Sequence, residues 1–247
     1  MKLIQILVIT LFTFTTSLSA QEDVRALFFN IKYGFNIPGA DLADRFGSHF
    51  NAGLDVEYFQ GRNNLFYGLQ GNFIFGTNVE EDVLASLRTS EGQIIGRDMS
   101  FALVEMRQRG VMFGGHIGKL FPFGSSEANS GLRLTLGGGM MIHQIAIKDD
   151  KNTVNQVRND YGKGYNRKTV GPYLHQFVGY QLLSEDRRIN FRFGFTFHQG
   201  FTQSVRSVDF DTKMTDDRNR LDLMYGIELG WILPIFLQIR GLSITTD

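Results

Sequence analysis

Phe191, Phe193, Phe195 and Phe197 occupy every second position of one run, with Asn190, Arg192, Gly194, Thr196 and His198 between them. A period of two places the four rings on one face of a β-strand and the polar or small residues on the other. A soluble sheet would bury such an aromatic face, and one strand alone fits that reading. The same pattern recurs along the chain, with Arg, Asp, Glu and Gly repeatedly opposite the apolar residues. That recurrence predicts a barrel turned inside out, with its apolar face outward.

Eight runs read this way, near 26–36, 48–59, 65–75, 99–120, 132–143, 169–183, 190–198 and 221–231. The clearest set Leu27, Phe29, Ile31, Tyr33 and Phe35 against Asn30, Lys32 and Gly34, and Leu221, Leu223, Tyr225, Ile227, Leu229 and Trp231 against Asp222, Gly226 and Glu228. The sixth run is the weakest, because Leu174, Val178, Tyr180 and Leu182 share a face with Gln176; it reads as a strand with a bulge. The connections alternate strictly. Short polar turns fall at 60–64, 122–130 and 184–188, and longer stretches at 37–47, 77–98, 149–168 and 205–220. In an up-and-down barrel this puts every short turn at one rim and every long loop at the other, as in outer-membrane barrels. The expected fold is therefore all-β, an eight-stranded antiparallel up-and-down transmembrane β-barrel with short periplasmic turns and long extracellular loops. Closure is physically required, since an open edge in lipid strands its amides without partners.

The N-terminus sets the compartment. Lys2 precedes a mostly apolar stretch from Leu3 to Phe14, and small residues follow at Ser17, Ser19 and Ala20. This is the pattern of a secretory signal peptide. Cleavage after Ala20 is preferred, and cleavage after Ser19 is the other option. The organisation expected is a signal peptide at 1–20, the barrel at 21–236 and a periplasmic tail at 237–247. The chain contains no cysteine, so neither a lipoprotein anchor nor a disulfide is available. Basic and acidic residues number 25 each, which gives no basis for a nucleic-acid partner. The location expected is the bacterial outer membrane, with its lipid, lipopolysaccharide included, as the first partner.

Eight strands leave an interior just wide enough for side chains. Gly34, Gly53, Gly68, Gly114, Gly118, Gly137, Gly139, Gly194, Gly226 and Gly230 fall on the inward parity. Charges of both signs join them: Lys32, Arg133 and Arg192 against Asp55, Glu57, Asp222 and Glu228. Pairing is expected, because isolated charges there are costly. The last strand must close on the first, which makes Glu228 or Asp222 the expected neighbour of Lys32. The lumen should be polar and largely plugged.

Signals for chemistry are sparse. His116, His143 and His198 lie on the inward parity without short ligand spacing, His49 sits near the external rim and His175 in the weak strand. No Gly-x-Ser-x-Gly or His-Glu-x-x-His occurs. Asp209, Asp211, Asp216 and Asp217 crowd the last external loop; solvated carboxylates, a divalent cation, or an acid–histidine site with His198 and His49 are the readings open there. The third loop is basic and aromatic, with Lys151, Arg158, Tyr161, Lys163, Tyr165 and Arg167 as a candidate external interaction surface. Val83 to Leu87 reads as a short helix or a segment packed across the mouth. No cofactor is expected.

The leader ending in Leu18-Ser19-Ala20-Gln21, the segment Arg109 to Phe121 (RGVMFGGHIGKLF), Ser130 to Gly139 (SGLRLTLGGG) and Gly230 to Pro234 (GWILP) carry a resemblance. Through them most of the mature chain resembles the small, porin-like outer-membrane β-barrels of Bacteroidetes-type bacteria. Several members of that set serve type IX secretion and gliding assemblies as barrel subunits. The resemblance thus implies a non-enzymatic structural or accessory barrel with envelope or secretion-complex proteins as partners. The alternatives are a narrow channel for ions or small solutes and a lipid- or peptide-modifying enzyme. The residues after Pro234 depart from the group's habit of ending on the last aromatic strand residue.

Overall fold

The computed structural model describes residues 25–122, 130–184, 190–206 and 208–237. Eight antiparallel strands close into a ring in chain order: β1 (Arg25–Ala40), β2 (His49–Gln60), β3 (Leu65–Gly76), β4 (Val104–Pro122), β5 (Gly131–Asp149), β6 (Thr169–Leu183), β7 (Asn190–Ser204) and β8 (Asn219–Leu237). β8 pairs with β1, from Arg25↔Leu237 to Ala40↔Asp222, and no barrel edge remains. The expected leader at 1–20, the tail beyond 237 and the middles of the turns at 122–130 and 184–188 lie outside the described residues.

Register fixes the tilt. Successive partners run from Arg25 to Gln60, Leu65, Lys119, Leu134, Val178, Phe195 and Ile227, and return to β1 at Phe35, ten residues further on. With a rise of ~3.3 Å per residue and strands ~4.8 Å apart, that stagger tilts the strands by about 40°. The outward parity carries the apolar residues on every strand, as the alternation predicts. On β4, Lys119 and Arg109 bracket outward Val111, Phe113, Gly115 and Ile117. At that tilt the segment between the two cations is roughly 25 Å high, the height of the apolar band of a membrane barrel. Tyr58, Tyr67, Tyr180 and Trp231 lie toward the short-turn end of this belt. A continuous wall of exposed Phe, Leu, Ile and Val is stable only against hydrocarbon.

Three strand readings are corrected. β4 starts at Val104 rather than near Met99: residues 94–102 fold into a small ribbon, Ile94–Ile95 against Phe101–Ala102, with Met99 in the left-handed region at φ 60° at its turn. β6 has no bulge, since its pairing with β7 keeps one register from Val170↔Gln203 to Leu183↔Asn190 and only omits Gly171 and Pro172. Proline supplies no ladder donor, which accounts for the gap. β8 runs through Pro234 to Leu237, where it pairs with β1 while its pairing with β7 has ended at Trp231↔Phe191. Among the described residues Pro234 thus has a ladder partner on one side only, which a proline tolerates.

Candidate functional site: a layered lumen and an external cap

Inward side chains stack in layers. At the short-turn end Phe28, Phe59, Phe66, Leu120, Leu183 and Ile232 form a buried apolar plug, with Phe28 and Phe59 stacked at 5.2 Å. The guanidinium of Arg133 lies 3.7 Å from the centre of the Phe66 ring, so a cation–π contact joins this plug to the layer above.

That next layer is ionic. Arg192 donates to Asp55 at 2.6 Å, to Glu228 at 2.9 Å and to Glu57 at 3.3 Å. Lys32 pairs with Asp55 at 2.8 Å and lies 4.0 Å from Glu228. Arg133 bonds Glu57 and reaches Gln181 at 2.6 Å, and His116 meets Glu57 at 2.8 Å. Three carboxylates thus face three fixed cations, and all are buried. Two glycines make the room. A Cβ on Gly53 would stand 2.9 Å from Cε of Lys32, and one on Gly230 would stand 2.9 Å from Nε of Arg192.

Six of the seven residues expected in the lumen network therefore meet in one cluster, and Asp222 does not. Lys32 faces Gly230 in the β1–β8 register, whereas Asp222 faces Ala40, eight residues higher on β1. Asp222 forms a second node at the long-loop end. It accepts bonds from Arg45 and Thr202, both at 2.5 Å, and contacts His143 at 2.8 Å. Arg45 comes from the loop after β1, between buried Leu42 and Phe46. Burial pulls its pKa below the ordinary arginine value, Asp222 opposes that, and nearby Arg220 adds to it. Between the nodes, His175 and His198 stack at 4.6 Å, and Gln70 donates to the Tyr173 hydroxyl at 3.2 Å.

Above this node the long loops build an apolar cap. Leu42, Phe46, Val83, Leu84, Ile94, Val154 and Tyr165 pack on Ile74, Met112, Met141, Tyr173 and Met224 of the barrel. Val83 and Leu84 are fully buried and lead into a 3₁₀ turn at Ala85–Leu87, so this segment does pack across the mouth. Arg167 staples the cap: it bonds Glu81 at 2.8 Å, Asp209 at 2.9 Å and Asp211 at 2.6 Å, tying three loops together. Burial alone would lower its pKa, but the bonds to Asp211 and Glu81 hold it above the ordinary arginine value. Burial pushes the Asp209 carboxyl up, against the pull of Arg167.

The candidate basic loop is thereby split. Tyr165 and Arg167 turn inward, while Lys151, Tyr161 and Lys163 are exposed and Arg158 is half-buried. The Tyr161 ring packs at a tilt against Phe210, with centroids 5.0 Å apart. The acidic crowding of the last loop is largely ion-paired: Asp209 and Asp211 serve Arg167, and Asp216 serves Arg218 and Arg220. The suggested acid–histidine site does not assemble. His49 contacts the Gly47 carbonyl and the Met224 sulfur, His198 stacks on His175, and both lie beneath the cap. A cleft of about 730 Å³ opens between the first, second and fourth loops, lined by Asp44, Arg45, Glu81, Asp209, Asp216 and Arg220 among others.

No family model and no curated protein matches the chain. Among solved structures it is similar to Neisserial surface protein A, at 8% identity over 83% of this chain and 97% of that one, with a TM-score of 0.41. The attachment invasion locus protein Ail of Yersinia pestis follows at 12% identity, 84% and 98% coverage, and a TM-score of 0.39. The outer membrane protein OprG from Pseudomonas aeruginosa is similar at 10% identity, 85% and 96% coverage, and 0.33. The fold itself rests on the closed strand ladder of this chain.

Arg45 was not singled out by sequence reasoning, although its place between Leu42 and Phe46 marks a charge anchored by apolar neighbours. His116 and Gln70 were likewise missed as network members. Both lie on inward parity, which was the available signal.

Proposed function

We propose that this chain is an integral barrel of the bacterial outer membrane that neither conducts nor catalyses. It acts as a fixed platform for contacts outside the cell, as an accessory or interaction subunit of an envelope assembly. The observation that carries this reading is the lumen's layering: an apolar plug, a charge-balanced ionic layer and a capped mouth, in sequence. A solute path would have to displace buried Phe rings and break ion pairs between buried side chains. Short turns in the periplasm and the cap outside follow the habit of outer-membrane barrels, and Lys119 and Arg109 at the belt's edges suit the two headgroup regions.

The partner part of the reading draws on the cap's outer surface. On and beside the ribbon of the second loop, Ile95, Met99, Phe101 and Leu103 are exposed, Met99 at 91% and Leu103 at 79%. These side chains stand beyond the belt, where water would otherwise cover them, and an apolar patch of this kind fits a protein partner. Arg107 and Lys148 on the outward parity of β4 and β5 above the belt suit lipopolysaccharide phosphates. A role beside secretion or gliding assemblies rests on the sequence resemblance alone. Planar-bilayer recording tests the first half: no conductance steps are expected from the purified barrel, and regular steps would overturn the platform in favour of a narrow channel. Affinity capture from gently extracted membranes tests the second, with partner recovery expected to fall for Phe101→Ser with Leu103→Ser.

A further inference from the structure

We propose that the outer wall of β6 and β7 is the contact surface of a parallel two-fold dimer, with Gln176 of one copy hydrogen-bonded to Gln176 of the other. The outward positions of β6 are Val170, Pro172, Leu174, Gln176, Val178, Tyr180 and Leu182. Gln176 is the middle one, with three apolar residues on each side, so it sits halfway through the belt. Its amide has no hydrogen-bond partner among the described residues. It also lies on the wall of an outward-facing groove of about 730 Å³ flanked by Leu134, Val178, Phe195, Phe197, Tyr225 and Ile227. Gln199, diagonally above it on β7, is a second outward amide without a partner among the described residues.

The depth of Gln176 decides what can cover it. Water and headgroups are half a bilayer away, and acyl chains there offer neither donor nor acceptor. An amide left alone in hydrocarbon is costly, so the occupant must be protein lying in the membrane plane. A second copy meets the requirement by symmetry. A two-fold axis along the membrane normal sets every residue at the same depth as its counterpart. A primary amide both donates and accepts, so two of them close a reciprocal pair. The apolar groove around them takes up the side chains of the facing wall.

This proposal rests on the reading that the belt faces hydrocarbon. The chain has no native cysteine, so single cysteines report contacts cleanly. Val178→Cys stands beside Gln176, and Leu54→Cys stands on β2 across the barrel. Each is made in the full-length protein and treated in native outer membranes with a short bis-maleimide. Val178→Cys should give several-fold more cross-linked dimer than Leu54→Cys, and adding Gln176→Leu should lower that yield several-fold. Equal yields at the two sites, no dimer from Val178→Cys, or an adduct with a different protein would overturn the second copy as occupant. The same samples are checked for a heat-modifiable, membrane-embedded barrel. A barrel that passes this check but fails to cross-link refutes the dimer alone, whereas loss of embedding refutes the membrane reading.

Discussion

Arg192 and Arg167 perform the same chemistry on different supports. Each holds three carboxylates: Asp55, Glu57 and Glu228 for Arg192, and Glu81, Asp209 and Asp211 for Arg167. Arg192 stands on a strand, and its partners stand on β2 and β8, so the hydrogen-bonded ladder fixes all four before any ion pair forms. Arg167 stands at the end of a loop, in the left-handed region at φ 44°, and its partners belong to two other loops. No ladder holds them. The first arginine neutralises charges that the barrel has already buried, while the second decides whether the loops form a cap at all. The same ion pairing is thus a debt settled inside the barrel and a construction device above it.

The largest effect should come from Arg192→Met. It leaves three buried carboxylates short of a cation, and breaking a buried pair in this way costs ~3–5 kcal/mol. The heat-induced mobility shift of the detergent-solubilised barrel should move to clearly lower temperature, and adding Glu57→Gln should restore part of the loss. An unchanged transition would mean that the layer is hydrated and the lumen more open than its layering implies. Next is Gly230→Ala, whose new Cβ falls on Arg192 and should cost about 1–3 kcal/mol by overpacking, read in the same assay. Arg167→Met should leave that transition nearly unmoved and instead expose the loops at 77–103, 150–168 and 205–218 to protease. If it lowered the melting temperature as much as Arg192→Met, the distinction between settled charge and construction device would be lost.

The contrast also explains what the sequence made legible. Strand parity is periodic, so the outward faces and the inward set Lys32, Asp55, Glu57, Arg133, Arg192 and Glu228 could be read directly. Their partners depend on register. β1 and β2 are joined by a long loop, which leaves their register unfixed in the sequence, and so Asp55 was not identified as the nearest anion to Lys32. Asp222 shares the right parity but stands too high, an axial coordinate that alternation does not encode. Loops carry no period at all. Arg167 and Tyr165 therefore looked like exposed members of a basic loop, and Asp209 and Asp211 like a free acidic cluster, until three loops were brought together. Gln176 weakened the reading of β6 because it breaks the outward pattern; the strand is regular, and the exception lies in what that side chain faces.

The smallest effect separates the cap from the barrel by pH. Burial would raise the Asp216 carboxyl, but Arg220 and Arg218 outweigh it and hold the pKa below the ordinary 3.8. A depressed carboxylate contributes stability above its unfolded pKa and loses it as pH falls through the folded value. Asp209, whose pKa is raised, has the opposite sign: its protonation on acidification relieves a cost of burial and removes one partner of Arg167. Arg167, with its raised pKa, keeps its charge and its contribution throughout the neutral range and loses them only in strongly alkaline solution, above the ordinary arginine value. Protease sensitivity of the fourth loop should therefore stay flat from neutral pH down to about 4 and rise below it. Asp216→Asn should show the low-pH sensitivity already at neutral pH and flatten the profile. A profile that Asp216→Asn left unchanged would assign the acid response to another group and remove Asp216 from the contacts that order this loop.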